Sequence, residues 1–574
     1  MSFRFAWAMG MMPSFLVRLR RDVRGNTLAL MAAAMMPLLG MVGSGIDMSR
    51  AYMAQNRLRQ ACDAGALAGR RLLNGSTIDD PLKTETTKYF SFNFAQRQFD
   101  TAPYTLDITV PAPGTLKVDT RTTIPTTIMG LFGIASLPLS ASCSATQDFI
   151  NTDIVMVFDL SGSMNCPVTR PNDGCGNVNQ PNSKLDALKD AAKALYTTLE
   201  PAQNKLAANN LRMRYGFVNY ANSVNVGAAV YGKNIDYFRQ SWTYQSRRNA
   251  QDDTSRTETW CNANSGVWYY YYDSRGRTRT ACRYPVNNWT GTYLYQPVTY
   301  DVRSYLTGGT PSVTAQRYAS DAWEGCIEER DTDATLIDGG ASTAAPPSAL
   351  DLDIDLIPNS DASRWRPAWP DVEFFRNDAI NGAADHSDTY CPTAARRLKS
   401  YFNDKSGFDG YVNSLIAKGG TYHDLGMIWG ARFLSQDGIF RAVPSETNDN
   451  TVADNPKKIK GFAVRQYMIF MTDGDMSPTA DVYSSYGIEQ LDNRVTAGAS
   501  NQLDRHLQRF RMACNAAKAK GIDVWVIAFS TTLTADMTNC ASKPEQAAGL
   551  ATNAALIDKF KEIGSKIGSL RLSQ

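Results

Sequence analysis

The sequence predicts an α/β chain built on a doubly wound, mostly parallel sheet with helices on both faces. One N-terminal transmembrane helix and a small β-rich region come first, and a large disulfide-stapled insertion interrupts the α/β part. Three observations lead there: an uncharged run from Asn26 to Ile46, a regular alternation of apolar strands and helical segments after residue 153, and the loss of that alternation between about 232 and 393. With 574 residues the chain is also too long for one compact domain.

Residues 1–25 form a basic segment, with Arg4, Arg18, Arg20, Arg21 and Arg24 against Asp22 alone, a net +4. The whole chain carries 59 Lys+Arg against 56 Asp+Glu, a net +3, so everything after residue 25 sums to −1. That balance argues against general nucleic-acid binding, and a 43% hydrophobic content excludes low-complexity disorder. The 26–46 run, at about 1.5 Å per residue, is about 30 Å long, the thickness of a bilayer's hydrocarbon. Arginines before it and Asp47 after it follow the positive-inside rule, which puts the N-terminus in the cytoplasm and the rest outside. The run is longer than a signal-peptide core and Gly43-Ser44-Gly45 is a poor cleavage site, so it reads as an uncleaved single-pass anchor.

All ten cysteines (Cys62, Cys143, Cys166, Cys175, Cys261, Cys282, Cys326, Cys391, Cys514 and Cys540) follow the anchor, in what would be an oxidising compartment. No C-x-x-C occurs, which removes support for a zinc ribbon or a thioredoxin-type site. Short loops suggest the pairs Cys166–Cys175, Cys261–Cys282 and Cys514–Cys540. Cys326 and Cys391 are further disulfide candidates, and the overall connectivity stays open at this level.

Residues 47–73 continue the helix out of the membrane, and Asn74-Gly75-Ser76 stops it. Alternating, β-branched stretches from about 80 to 149 predict a small strand-rich stalk. From 150 to 574 the α/β pattern holds. The strands are 153–160, 213–221, 465–472 and 522–530, and the helices are 183–199, 422–434, 505–521 and 554–570. The stretch 232–393 is rich in Tyr, Trp, Asn, Arg and Asp and includes a WYYYYD run at 268–273. A structureless loop of that length is improbable, so it reads as an inserted subdomain. Its aromatic run suits either a partner-binding surface or a small irregular core.

The chemistry-bearing residues lie at strand ends. Asp159-Leu160-Ser161-Gly162-Ser163 follows the first core strand and places a carboxylate and two hydroxyls at alternate positions on one turn. Gly419-Gly420-Thr421 precedes a helix, and Thr472-Asp473-Gly474 ends another strand. Hydroxyls with few carboxylates suit a hard divalent cation such as Mg²⁺, with Ca²⁺ or Mn²⁺ as alternatives, and not zinc. These residues resemble the metal-ion-dependent adhesion site (MIDAS) of von Willebrand factor A (vWA) domains. The resemblance implies direct metal coordination by Ser161, Ser163 and Thr421, with Asp159 and Asp473 acting directly or through water. It also implies one coordination position left for an acidic group supplied by a protein partner.

The segment from Arg21 to Leu73, with Gly25-Asn26, one apolar helix and Asp47-Met48-Ser49-Arg50-Ala51-Tyr52, resembles the N-terminus of TadG-like (TadE/TadG) proteins of Tad (Flp-type) pilus assembly. The C-terminal stretch around Cys514 and Cys540 and the closing IGSLRLSQ are similar too. This resemblance implies an inner-membrane, single-pass, non-enzymatic protein whose vWA domain faces the periplasm among other pilus assembly components. There are two departures: no Glu stands five residues after Gly25, which argues against cleavage as a prepilin-like pilin, and the insertion has no counterpart in the family's pattern.

Two other functions compete. One is an exported surface adhesin whose aromatic insertion binds host or surface polymers. The other is a metal-dependent hydrolase, which ranks low because no general base accompanies the site. Only three histidines occur, leaving little room for a catalytic triad; His423, His386 and His506 all read as structural, and Asp475 as a loop cap.

Overall fold

The computed structural model describes residues 26–568 apart from 74–76, 113, 147–149, 171–174, 177, 209–210, 289, 308–322, 337–343, 370–371, 373–390, 443–453 and 460–461. The chain divides into two compact units, residues 1–148 with 570–574, and residues 149–569. His386 and the stop signal at 74–76 lie outside the described residues.

The first unit begins with one continuous helix, α1 (Asn26–Leu72), with Pro37 inside it. It is long and apolar enough to cross a membrane. Its first half leaves Leu30, Met31, Met35, Leu38, Leu39 and Met41 exposed. Its second half buries Ala51, Ala54, Leu58, Ala61, Cys62 and Ala66, a three-and-four spacing that forms one helical stripe. That stripe packs on an antiparallel sheet of β1 (Leu106–Ala112), β2 (Thr115–Pro125) and β3 (Ser136–Thr146). The Cys62–Cys143 disulfide ties helix to sheet.

A second helix, α2 (Asp80–Asn93), occupies a stretch expected to be strand-rich. Asp79 caps it, its carboxylate accepting from Leu82 N, and Pro81 sits in its first turn. Gly69 lets it approach: a Cβ there would lie 1.9 Å from Thr86 Oγ1.

The second unit opens with β4 (Asn151–Asp159), α3 (Lys184–Ala208) and β5 (Met213–Tyr220). An antiparallel sheet follows, with β6 (Ser241–Asp253), β7 (Val267–Tyr272), β8 (Thr278–Pro285) and β9 (Thr292–Asp301) in the order β7-β8-β6-β9. Then come β10 (Arg396–Lys399), α4 (Lys405–Asn413), α5 (His423–Leu434), β11 (Phe462–Thr472), α6 (Gln502–Ala519), β12 (Asp523–Phe529), β13 (Ala547–Leu550) and α7 (Asn553–Gly568).

The central sheet runs β10-β5-β4-β11-β12-β13, with the short strand Lys458–Ile459 added on β11. From β5 to β13 every neighbouring pair is parallel, while β10 and Lys458–Ile459 pair antiparallel. The other sheets among the described residues are antiparallel, so the chain as a whole is mixed and the parallel expectation applies to this layer alone. Every residue of β4 is buried. Ile154, Met156 and Phe158 face α3, α4 and α7, whereas Val155 and Val157 face α5 and α6.

The inserted region is not one separate body. Its four-stranded sheet has its own aromatic cluster of Tyr244, Tyr300 and Trp369. Ile327, Leu352, Ile354 and Trp365 instead join the core beneath α5 and α6. A buried charge network fixes that junction. Glu329 accepts from Arg432 Nη1 at 2.9 Å, Trp429 Nε1 at 2.5 Å and Trp365 Nε1 at 3.1 Å, and Arg509 pairs with Asp351. Within the WYYYYD run the side chains alternate, Tyr270 and Tyr272 pointing to solvent from the edge strand β7. Five disulfides close the molecule: Cys62–Cys143, Cys166–Cys175, Cys261–Cys282, Cys326–Cys391 and Cys514–Cys540.

Candidate functional site

Two adjacent parallel strands, β4 and β11, end together, Phe158 opposite Met471. The chain leaves β4 toward α3 on one face of the sheet and leaves β11 toward α6 on the other. Diverging connections open a crevice at the carboxyl ends of such strands, where α/β sheets bind ligands. Asp159 closes β4 and Asp473 follows β11, so both acids sit at this carboxyl edge of the sheet.

The turn after β4 is held from two sides. Ser161 N donates to Asp159 Oδ1 at 2.8 Å, folding the turn back on its own aspartate. Gly162 N donates to Gly419 O at 2.9 Å and Lys418 N to Leu160 O at 2.7 Å, which clamps the Gly419–Thr421 loop against it. Gly419 has φ +97, and a Cβ on it would lie 2.4 Å from Asn222 Oδ1, so the position requires glycine. Asn222 in turn donates to Tyr483 O and accepts from Gly420 N.

Three of the expected oxygens converge. Ser161 Oγ and Ser163 Oγ lie 3.0 Å apart, and Asp473 Oδ1 is 3.3 and 3.0 Å from them. Thr421 Oγ1 and Ser163 Oγ each lie 3.9 Å from where a Cβ on Gly474 would sit, which puts the threonine at the same opening. Asp159 lies deeper. Its Oδ1 takes the Ser161 amide and its Oδ2 accepts from Thr472 Oγ1 at 2.7 Å, an arrangement that supports the turn. Among the described residues no group of three or more His, Cys, Asp or Glu is placed to hold a metal ion, and the oxygens beside Asp473 Oδ1 are the hydroxyls of Ser161 and Ser163.

Sequence reasoning missed Lys184 and Asn222 here, and named Thr472 only as part of the Thr472-Asp473-Gly474 motif, without its bridging role. Lys184, the first residue of α3, places Nζ 2.5 Å from Asp473 Oδ2, with both side chains fully buried. Thr472 bridges Asp159 to the buried His423, whose Nε2 lies 3.0 Å from Thr472 Oγ1. Asn222 scaffolds the glycine loop. A hydroxyl beside an aspartate in Thr472-Asp473 was a visible cue; Lys184 and Asn222 offered none, being far from the motif in the chain. Asp475 is exposed, and His506 is buried against Asp424 Oδ2 at 2.7 Å.

Burial dominates the electrostatics. It pushes the Asp159 carboxyl up to about 7, helped by the neighbouring Asp473 charge and opposed by hydrogen bonds from Thr472 and Ser161. Asp473 is also raised by burial, against the lowering pull of Lys184. Burial takes His423 down to about 3, so it stays neutral. With both carboxyls ionised, as coordination of a cation would require, two carboxylates face one ammonium and one negative charge is left over. The donor set fits a hard divalent cation, since hydroxyl and carboxylate oxygens converge. Ser161, Ser163, Thr421 and Asp473 would hold it, and Asp159 would steady them.

Residues 25–71 match the family model described as "Putative Flp pilus-assembly TadE/G-like". A search of curated proteins found no match. Among solved structures, the pilus adhesin SpaC from Lactobacillus rhamnosus GG is 11% identical with TM-score 0.28, covering 81% of this chain and 35% of that one. A mutant of the PilB minor pilin from Streptococcus sanguinis is 9% identical with TM-score 0.29, covering 81% and 78%. The vWF domain of the type V pili tip protein Mfa5 from Porphyromonas gingivalis is 10% identical with TM-score 0.28, covering 74% and 98%. This chain thus spans about a third of the SpaC chain, and all three scores are too low to establish a shared fold. Over residues 25–71 the chain carries a TadE/G-like pilus-assembly segment.

Proposed function

We propose that this protein is an inner-membrane-anchored, periplasm-facing, non-enzymatic component of Tad/Flp-type pilus assembly. Its second unit acts as a doubly wound vWA-type domain that grips a protein partner through a bound divalent cation, Mg²⁺ in the first instance. The N-terminus lies in the cytoplasm and α1 crosses the membrane once. The observation that carries this reading is the convergence of Ser161, Ser163 and Asp473 oxygens beside Thr421, at the end of β4 and β11.

Charge explains the choice of partner. A bound cation displaces any proton on the raised Asp159 and Asp473 carboxyls; with both ionised, they and Lys184 sum to one negative charge, and a divalent cation turns the site one charge positive. Buried excess positive charge is costly, so an acidic side chain from a partner completes the site. The TadE/G-like segment points to pilus components as the place to look. The test is crosslinking capture in native membranes with Mg²⁺ or with EDTA, using the wild type and an Asp159→Ala, Ser161→Ala double variant. Capture is expected only for the wild type with Mg²⁺; capture that survives both EDTA and the double substitution refutes the metal bridge.

A further inference from the structure

The first unit presents a second apolar surface beside α1. Residues 122–147 contain no charged side chain. The turn between β2 and β3 leaves Leu131 85%, Phe132 52% and Ile134 43% exposed. This turn does not project into open solvent away from the helix. Phe132 packs over Gly40, whose added Cβ would meet its ring at 3.6 Å, and Ile128 lies so close to Gly43 that a Cβ there would be 2.2 Å from it. Asp47, buried at the end of the apolar run, accepts from the Thr127, Ile128 and Met129 amides at 2.9, 2.9 and 2.8 Å. Arg50 Nη1 adds a bond to Thr127 Oγ1.

We infer that the Ile128–Ile134 turn is a second membrane contact, a wedge seated in the outer leaflet of the bilayer alongside α1. It rests on the reading of α1 as the membrane anchor. Depth follows from helix rise: Gly43 and Gly40 precede Asp47 by four and seven residues, so at about 1.5 Å per residue the turn reaches roughly 6 to 10 Å below Asp47. That is the depth at which interfacial apolar segments sit. The occupant is lipid because this surface is continuous with the exposed Leu38, Leu39, Met41 and Val42 of the apolar run.

Irregular backbone is tolerated at that depth only when its polar groups are satisfied. Here Asp47 takes three amides, and Thr126 N→Ala135 O, Leu131 N→Ile128 O, Gly133 N→Gly130 O and Ile134 N→Met129 O satisfy four more. The single carboxylate that closes the turn is thus also the residue that marks the membrane boundary on α1.

The full chain in lipid nanodiscs, carrying an environment-sensitive fluorescent amino acid at Leu131, tests this with doxyl-labelled phospholipids. The same label at Leu38 reports the anchor, and at the exposed Lys83 of α2 it reports the aqueous side. Leu131 is expected to be quenched several-fold more than Lys83, most strongly by a doxyl group high on the acyl chain. If Leu38 is quenched and Leu131 behaves like Lys83, the wedge is overturned while the anchor stands. If Leu38 itself is unquenched, the anchor is wrong and the wedge falls with it.

Discussion

Replacing Lys184 by Met isolates the charge balance on which the candidate metal site depends. The Lys184–Asp473 contact is 2.5 Å with both side chains fully buried, and Asp159 adds a second buried acid beside it. Removing one member of a buried ion pair costs about 3–5 kcal/mol because the other charge is left unpaired. Against a typical folding stability of about 5–15 kcal/mol the loss is large. The cost also depends on pH. Without the ammonium, the two acids rise further, and an acid raised in the folded state lends its full stability below its unfolded value and loses it progressively above that. That stability disappears as pH rises through the folded value, so the deficit is larger at pH 8 than at pH 6.

Mg²⁺ distinguishes a structural lysine from a lysine sharing a metal pocket. A cation bound only to the folded protein, at a hundred times its Kd, adds about 2.7 kcal/mol. In Lys184→Met it binds without repulsion from the ammonium, so its stabilisation exceeds that of the wild type and the gap between them narrows. The assay is thermal unfolding of the full chain in detergent, followed by tryptophan fluorescence, in EDTA and across a Mg²⁺ series. A variant as stable as the wild type in EDTA refutes the buried pairing. A deficit that Mg²⁺ leaves unchanged refutes a cation at these carboxylates.

Asn222→Ala removes the hydrogen bonds to Tyr483 O and Gly420 N and should weaken Mg²⁺ binding about tenfold, read by calorimetry, while the fold survives. Asp492, raised to about 6 mainly by burial and also by Glu328, penalises the native state increasingly from its unfolded value up to about 6, and in full above it. Asp492→Asn should therefore gain up to about 3 kcal/mol at pH 8 and nothing below the unfolded value of 3.8; parallel denaturation curves at the two pH values contradict this. Glu329→Ala strands Arg432 in the core and should cost about 3–5 kcal/mol in urea unfolding, with protease sensitivity appearing in the 327–367 segment. Gly69→Val drives a side chain into Thr86 and Leu116 and should lower stability by about 1–3 kcal/mol, measured on the first unit's unfolding transition.

What the sequence made legible is what sits close together along it. The continuous apolar run of β4 and the alternate oxygens of Asp159, Ser161 and Ser163 lie on one strand and one turn, so local spacing already dictates their convergence. The helix α2 was also marked, by Asp79 and Pro81, but its polar TETT stretch offered no clean apolar stripe, and neighbouring β-branched residues pulled the reading toward strand. The insertion is legible only in outline. Its composition marks an inserted subdomain, but that Ile327, Leu352 and Trp365 finish a core begun by α5 and α6, and that Glu329 meets Arg432, is set by the folded chain. Lys184 is the sharpest case. It stands in an ordinary amphipathic helix, where a lysine usually reads as solvated, and becomes fully buried because α3 starts directly under the β4 turn. Its partner Asp473 lies on another strand, so no motif spacing links them. A donor pattern can therefore be read from sequence, but the charge that decides whether those donors want one cation, and whether that cation wants an acidic partner, is fixed only when distant residues are packed together.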